Sequence, residues 1–371
     1  MKTVWDIGAQ RPHFAPLKED RTVDLCVIGL GGSGLTAIHE ATDRGLKVIG
    51  VDAGEIAGEA AGRNGGFLLA GIAEFHHDAV ANFGREKASA LYQHTLDEMA
   101  LMERAAPASI RRIGGLRVAF DDEELVDCHR HFDALRLDGF PVEMYDGPEG
   151  QGILIPTDGV FHPLNRAISL VQRAVLGGAE LFAHTKALSV ESHLVRTPHG
   201  NIEAKNILVA IDGNISVLLP QLSGDVYPVR LQMLSTSPDP GVHFPLPVYT
   251  RGAYDYWQQL PDGRISIGGG RDIGGVEEDT NEVRITNKVQ NFLDERIKGL
   301  GITAPVEHRW AATVSYTKSG LPIAREVIPG VYAIGAYCGT GNVVGALLGR
   351  AVVEKITTRQ SQTWSDFSEV I

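Results

Sequence analysis

Cysteine is scarce in this chain of 371 residues. The three that occur, Cys26, Cys128 and Cys338, are far apart and form neither a C-x-x-C pair nor a metal-ligand spacing. No apolar run approaches the roughly 18 residues of a membrane-spanning helix, and residues 1–17 lack the apolar core of a signal peptide. We therefore expect a cytoplasmic protein with no metal site and no integral membrane contact.

Positive charge is also in short supply. The chain has 34 Lys and Arg against 46 Asp and Glu, a net charge of −12, and no basic stripe. Binding to a phosphate backbone needs clustered Lys and Arg, so a nucleic-acid partner is not expected. The hydrophobic content of 43% is ordinary for a globular protein, and the length suffices for two domains.

The most informative stretch covers residues 23–67. Apolar residues 23–28 predict a short buried strand that runs directly into a G-x-G-x-x-G turn. Glycines at these positions allow a tight turn, a close approach of backbone to a pyrophosphate, and close packing of the next helix. The N-terminus of that helix favours phosphate through its free N–H groups and its dipole. The candidate cofactor-binding residues here are Gly29, Gly31, Gly32, Ser33 and Gly34.

A second apolar strand, residues 46–51, ends in Asp52, whose carboxylate lies about 20 residues past the glycines, where ribose hydroxyls need an acceptor. The glycine-rich segment that follows has too little bulk for a packing element and suits backbone lying against a ligand. Arg63 could reach a pyrophosphate, and the Asn64 amide a ring edge or a loop carbonyl. The simpler alternative is a surface loop. The candidates in this segment are Ala53, Gly62, Arg63, Asn64, Gly65 and Gly66.

Elsewhere the pattern predicts an extended surface arm over residues 1–21, helices at 86–105, 165–176 and 286–300, and several short strands. The strand closing at residue 211 ends on small residues that put backbone against a ligand. Candidate ligand contacts in this region are Ala187, Ala210 and Gly213. We expect His76, His77 and His94 to be structural, as isolated histidines usually are.

A hairpin around Pro261-Asp262-Gly263 is predicted between strands at 254–260 and 264–267. On the first strand, alternation places Tyr256 on one face and Trp257 on the other, and one of the two faces is expected to be a cavity wall.

A second strand, glycine turn and helix start occurs hundreds of residues after the first. The strand at 331–334 leads into a glycine-rich turn and a helix over 343–355, whose N-terminus would stabilise negative charge on an electron-rich ring such as the N1–O2 edge of reduced flavin. The alternative is a purely structural turn. The candidates are Gly335, Gly339, Thr340, Gly341 and Asn342.

Taken together, these motifs resemble the D-amino-acid oxidase, glycine oxidase and sarcosine oxidase superfamily of FAD-dependent oxidoreductases. The resemblance spans nearly the whole chain and rests on both glycine turns, the loop at 62–66, and the segments at 210–213, 227–232 and 320–322. Gly-Arg-Asn-Gly-Gly and Tyr-Asp-Tyr-Trp look most like the γ-glutamylputrescine oxidase branch, which oxidises amines.

The resemblance implies an α/β protein, α+β overall, with a Rossmann-like FAD-binding domain and a second, antiparallel-sheet substrate domain. We expect the FAD-binding domain to comprise residues 1–84, 159–225 and 305–371, and the substrate domain residues 85–158 and 226–304.

The chain departs from the amino-acid oxidases in one informative place. Those enzymes usually hold an arginine for the substrate carboxylate before Gly-Leu-Pro, but residues 312–317 here contain none, and Val314 cannot pair with a carboxylate. An α-amino acid is therefore less expected than an amine, although Arg230 or Arg271 could supply charge from another wall. The cysteine through which some sarcosine oxidases attach flavin is also missing, which implies non-covalent FAD unless Cys338 forms the link.

The expected activity is removal of hydride from the carbon beside an amine nitrogen, with hydrolysis of the imine and reoxidation by O2 or another electron acceptor. Candidate catalytic residues are Tyr256, Trp257, Arg230 and Lys318, of which Lys318 is more simply an exposed surface residue. Three alternatives remain open: a dehydrogenase passing electrons to a quinone or carrier, an NAD-dependent dehydrogenase, and a flavin-bound protein without oxidase turnover.

Overall fold

A computed structural model describes residues 1–368. The helices are α1 (Gly32–Asp43), α2 (Ala60–Arg63), α3 (His76–Phe83), α4 (Arg85–Ala105), α5 (Asp122–Leu137), α6 (Pro163–Leu176), α7 (Ile215–Leu218), α8 (Arg271–Gly274), α9 (Asn287–Gly299), α10 (Val344–Thr358) and α11 (Gln362–Ser368).

The strands are β1 (Arg21–Ile28), β2 (Val48–Val51), β3 (Phe67–Leu68), β4 (Ile110–Arg111), β5 (Gly115–Val118), β6 (Glu143–Gly147), β7 (Gly150–Ile155), β8 (Gly159–Phe161), β9 (Glu180–Phe182), β10 (Ser189–Glu191), β11 (Leu194–Thr197), β12 (Gly200–Val209), β13 (Val226–Pro238), β14 (Val248–Thr250), β15 (Asp255–Gln259), β16 (Arg264–Gly269), β17 (Val306–Thr317), β18 (Ile323–Ile328) and β19 (Val331–Gly335).

The chain divides into two compact units. Residues 9–62, 164–229 and 314–368 form the parallel-sheet unit, and residues 1–8, 63–163 and 230–313 form the antiparallel-sheet unit. These units do not have the expected domain bounds: residues 63–84, for example, lie in the antiparallel-sheet unit, and the expected assignment of FAD binding to residues 1–84, 159–225 and 305–371 stays a prediction. The mixed α/β architecture agrees with the expected fold class.

The centre of the parallel-sheet unit is a set of parallel strands whose carboxyl ends are aligned. Ile28 of β1 lies opposite Val209 of β12 and Val51 of β2, and Ala333 of β19 pairs with Val209. Because β1, β2 and β12 are apolar and buried on both faces at this end, the register is strongly determined. Ligands of such sheets bind just outside the carboxyl ends of the strands. The fold therefore places both glycine turns at the edge where a cofactor is expected.

The antiparallel-sheet unit is built on an eight-stranded sheet in the order β17-β13-β16-β15-β14-β5-β7-β6. Helix α9 covers one face of it, where Val289 and Leu293 pack against Ile265 and Ile267. A separate small sheet, in the order β3-β8-β4, carries the chain beyond the glycine-rich loop.

The prediction of a surface arm over residues 1–21 is wrong in part. Residues Val4–Asp6 form a 3₁₀ turn, and Trp5 is only 2% exposed. Leu17 is also buried and packs in the core of the parallel-sheet unit. Across residues 1–368, no helix combines the length and the apolar character that crossing a bilayer requires.

Candidate functional site

The turn between β1 and α1 needs glycine for steric reasons that the structure makes explicit. Gly29 has a φ of +96°, and a Cβ there would lie 2.5 Å from the carbonyl oxygen of Ala210. A Cβ on Gly34 would lie 1.9 Å from the oxygen of Gly29. Helix α1 starts at Gly32, and its N-cap, Gly31, provides no side-chain hydrogen bond. The first N–H groups of this helix are thus left without a side-chain cap, as an anion-binding helix start requires.

Asp52 follows β2 and holds this turn in place. Its two carboxylate oxygens accept hydrogen bonds from the backbone N–H of Leu30 at 2.8 Å and of Gly54 at 2.9 Å. Burial raises the pKa of Asp52 above its ordinary value, although these two N–H donors act in the opposite direction. Each oxygen can still accept a further hydrogen bond, so the position remains suited to ribose hydroxyls.

The second glycine turn, residues 335–342, leads from β19 to α10 and lies next to the first. Ala336, Cys338 and Gly339 all have positive φ, which makes a sharp, partly strained turn. The N-cap of α10, Val343, also lacks a side-chain hydrogen bond. A Cβ on Gly349 would lie 2.5 Å from the backbone oxygen of Ser33, so α10 packs directly on α1. Two helix starts without a side-chain cap therefore lie in one unit, although the first N–H groups of α10 donate to the carbonyls of Thr340 and Gly341.

Asp212, beyond the end of β12, connects the strand end that contains Ala210 and Gly213 to this second turn. Its Oδ1 accepts from the backbone N–H of Tyr337 at 3.3 Å, and its carbonyl oxygen accepts from the Ser315 hydroxyl at 2.9 Å. Burial raises the pKa of Asp212 to about 7. The sequence analysis treated this strand end as backbone alone and assigned the side chain no role.

Arg166 on α6 is a further residue that the sequence analysis did not find. It is 5% exposed, and a Cβ on Gly32 would lie 3.1 Å from its Nη1. Its Nη2 is 3.5 Å from the Thr36 hydroxyl on α1. A buried guanidinium beside an uncapped helix start adds positive charge where phosphate is expected. Nothing in the local sequence indicates this, because α6 reaches α1 only through the tertiary fold.

The loop at residues 63–66 belongs to the antiparallel-sheet unit and is held there by its carbonyl groups. Three side chains donate to three successive carbonyl oxygens: Trp310 to Arg63 at 2.7 Å, Trp5 to Asn64 at 2.8 Å, and Gln258 to Gly65 at 2.5 Å. The Asn64 side-chain oxygen accepts from the backbone N–H of Gly66 at 2.9 Å. The loop is therefore rigidly built and is not an ordinary surface loop.

The structure separates the two aromatic candidates on β15. Tyr256 packs edge-on against Phe67, with ring centroids 5.7 Å apart, and lies beside Tyr249. Trp257 is 3% exposed and belongs to the core formed with α9. This corrects its assignment as a cavity wall, because the face of β15 that carries it is covered by a helix of its own unit.

Arg230 also requires correction. Its side chain is fully buried and donates to both carboxylate oxygens of Glu278 at 2.9 and 3.0 Å, and to the carbonyl oxygens of Glu277 and Glu282. With its donors engaged inside the antiparallel-sheet unit, Arg230 is a structural residue and not a contact for substrate or flavin. Lys318 is exposed, in agreement with the simpler interpretation.

The remaining candidates have less distinctive positions. Ala53 is exposed and Ala187 is half-buried at the edge of the core. His76 has its Nε2 2.6 Å from Asp138 Oδ2, which fits the expected structural role. Cys338 Sγ lies 3.4 Å from the backbone nitrogen of Thr317 at the end of β17 and 3.4 Å from the carbonyl oxygen of Ala336 in its own turn.

Comparison with known proteins agrees with this geometry. The chain is 27% identical to a probable oxidoreductase, OrdL, of Rhizobium meliloti (strain 1021), covering 93% of this chain and 85% of that protein. It is 26% identical to the gamma-glutamylputrescine oxidoreductase of Escherichia coli (strain K12), covering 92% and 85% respectively.

The crystal structure of glycine oxidase from Geobacillus kaustophilus superposes with a TM-score of 0.77 at 19% identity, over 92% of this chain and 96% of that one. At this identity the likeness concerns the fold. The profile of the family described as DAO, FAD dependent oxidoreductase, matches residues 24–355. This range contains both glycine turns and most of each unit. The match to this family identifies the dinucleotide as FAD and not NAD. The chain is an enzyme that belongs to the DAO family of FAD-dependent oxidoreductases.

Proposed function

We propose that this enzyme oxidises an amine at the carbon beside its nitrogen, with non-covalently bound FAD as electron acceptor and O2 as final oxidant. The observation that carries the cofactor part is that two helix starts without a side-chain cap, those of α1 and α10, lie at the carboxyl edge of one parallel sheet.

The first helix start would hold the pyrophosphate. The backbone N–H groups of Gly31, Gly32 and Ser33 at the start of α1 would donate to phosphate oxygens, and glycine at the turn would let those oxygens approach the backbone. Arg166 would add positive charge, and Asp52 would accept from the ribose hydroxyls while keeping the turn closed. Arg63, Gly65 and Gly66 lie in the antiparallel-sheet unit, and their contact with the cofactor stays a prediction from the sequence.

The second helix start would stabilise the flavin ring. Residues 339–342 precede α10, whose dipole favours negative charge near its N-terminus by up to about 1 kcal/mol in exposed settings and more when buried. Bound FAD would supply the hydride-accepting ring, while the chain orients the substrate and excludes water. No strong general base is needed if the amine binds neutral. Cys338 is engaged within its own turn, which supports non-covalent attachment.

The substrate part rests on Val314. We infer an amine substrate because valine lacks the planar guanidinium with which arginine binds a substrate carboxylate through two parallel hydrogen bonds. The name of the Escherichia coli relative, a gamma-glutamylputrescine oxidoreductase, also supports an amine substrate.

The test uses the purified flavoprotein without oxygen. We expect amines to bleach its visible absorption faster than the α-amino acids that contain the same side chain plus a carboxylate. In air, the same amines should produce one hydrogen peroxide for each amine consumed. Bleaching by amino acids alone would overturn the substrate assignment. Bleaching by amines without peroxide, with reduction of an added quinone, would replace the oxidase by a dehydrogenase.

A further inference from the structure

A small cavity lies inside the antiparallel-sheet unit, apart from the residues assigned to the cofactor. It is enclosed by the segment from Ala70 to His76, by α4 and α5, and by β5. Its polar lining includes Tyr92, Arg117 and His131, one from each of three different elements. The space accommodates about one molecule of the size of water.

The protonation of His131 follows from its contacts. The side chain is 2% exposed, and its Nδ1 accepts a hydrogen bond from the backbone N–H of His76 at 2.8 Å. Burial, followed by the charge of Arg117, lowers the pKa of His131 well below its usual value. The ring is therefore neutral, with its proton on Nε2. Within residues 1–368, this buried Nε2–H has no hydrogen-bond acceptor.

Arg117 presents an unbalanced charge to the same space. Its guanidinium lies over the ring of Phe75, 5.6 Å from the centroid, and its buried Nε has no hydrogen-bond partner in the part of the chain that the structure describes. Over the same residues no ion pair involves Arg117. Arg117 is half-buried and Glu74 also lines the cavity, so an anion at the unbonded Nε would add to the neutralisation of this cation.

The nearby carboxylates are occupied by other donors. Glu74 accepts from the Asn82 amide at 2.9 Å, and Asp158 accepts from the backbone N–H of Ala70 at 2.8 Å. Burial also raises the pKa of Asp158 to about 7, against the influence of Arg117. Asp138 takes donors from His76, Arg85 and Ser89.

We propose that this cavity binds one small inorganic anion, of the size and charge of chloride. The anion would accept from Arg117 Nε and His131 Nε2, and also from the Tyr92 hydroxyl, which lies near Thr157. Burial raises the pKa of Tyr92, so its hydroxyl stays a donor. A water molecule would accept at most two of these donors and would leave the guanidinium charge unbalanced.

The first experiment measures thermal unfolding of the flavin-loaded protein at pH 6, with sodium chloride replacing sodium gluconate at constant ionic strength. Chloride at ten times its dissociation constant should raise the midpoint by about 2 °C for a chain of this length. Arg117→Met should abolish this rise. Arg130→Met is the matched control, because it removes an exposed arginine on α5 and should leave the rise unchanged.

A more conservative variant and a crystallographic observation test the inference even if Arg117→Met does not fold. Tyr92→Phe keeps the ring and removes only the hydroxyl, so it should raise the concentration of chloride needed for half the effect. Crystals of the wild-type protein grown in bromide should show an anomalous peak in the cavity. Coinciding chloride and gluconate curves for the wild type, or a water without a bromide peak at this position, would overturn the inference.

Discussion

Replacement of Arg230 by methionine separates a structural arginine from a substrate-binding one. Methionine retains the long, unbranched stem but removes the guanidinium, so Glu278 is left as a buried charge with only Gln232 and Thr286 as side-chain partners. Removing one partner of a buried ion pair costs about 3–5 kcal/mol. We expect this loss in the free energy of unfolding of Arg230→Met.

The loss should be visible as a change in the unfolding temperature. For a cost of about 4 kcal/mol, the average unfolding entropy per residue gives a decrease of about 5 °C if the whole chain unfolds together, and about 10 °C if one unit unfolds alone. Calorimetry of the flavin-loaded protein measures this. Arg284→Met is the matched control: its pairs with Glu277 and Glu282 are about half exposed, so the unfolding temperature should stay close to that of the wild type.

The double variant Arg230→Met, Glu278→Leu provides a second check. Because it leaves neither charge unpaired, it should be more stable than the sum of the two single changes indicates. The reasoning would be refuted if Arg230→Met unfolded at the wild-type temperature while its KM for the amine rose tenfold or more. That outcome would restore Arg230 as a substrate contact.

Three further predictions concern the cofactor, the substrate and pH. Gly31→Ala should weaken FAD binding on the order of tenfold, because the methyl group keeps phosphate from the backbone. Gly224→Ala is the control and should leave binding unchanged, because a Cβ at Gly224 meets no other atom. The ratio of flavin to protein absorbance measures binding in both variants. Val314→Arg should raise kcat/KM for an α-amino acid, relative to kcat/KM for the amine that lacks its carboxylate, on the order of tenfold, whereas Val314→Met should not. If arginine left this ratio of kcat/KM values unchanged, Val314 would not belong to the substrate site. Burial raises the pKa of Asp158 to about 7 from an unfolded value near 3.9, so its contribution to stability is fully present below about pH 4 and is lost as pH rises towards 7. The decline in the free energy of unfolding amounts to a few kcal/mol, and Asp158→Asn should flatten it. Urea unfolding at pH 5 and at pH 7 measures this free energy, and an equal decline in both proteins would contradict the prediction.

Local sequence was sufficient for the features that depend on neighbouring residues. A strand, a glycine turn and a helix start occupy fewer than about 20 consecutive residues, and their steric demands are met within that span. Gly34 illustrates this, because the oxygen that forbids a Cβ there belongs to Gly29 of the same turn. The family resemblance, the FAD cofactor and the mixed α/β fold class rested on such features and are confirmed.

Which face of a strand meets the core was decided only by the tertiary structure. Alternation along β15 assigns Tyr256 and Trp257 to opposite faces but does not reveal which face α9 covers, since α9 is distant in sequence. In the same way, the partners of Arg230 lie more than 40 residues away, and Arg166 reaches the phosphate turn from a different helix. Sequence thus determined the two glycine turns, whereas long-range packing determined which charged and aromatic side chains are buried in structural contacts.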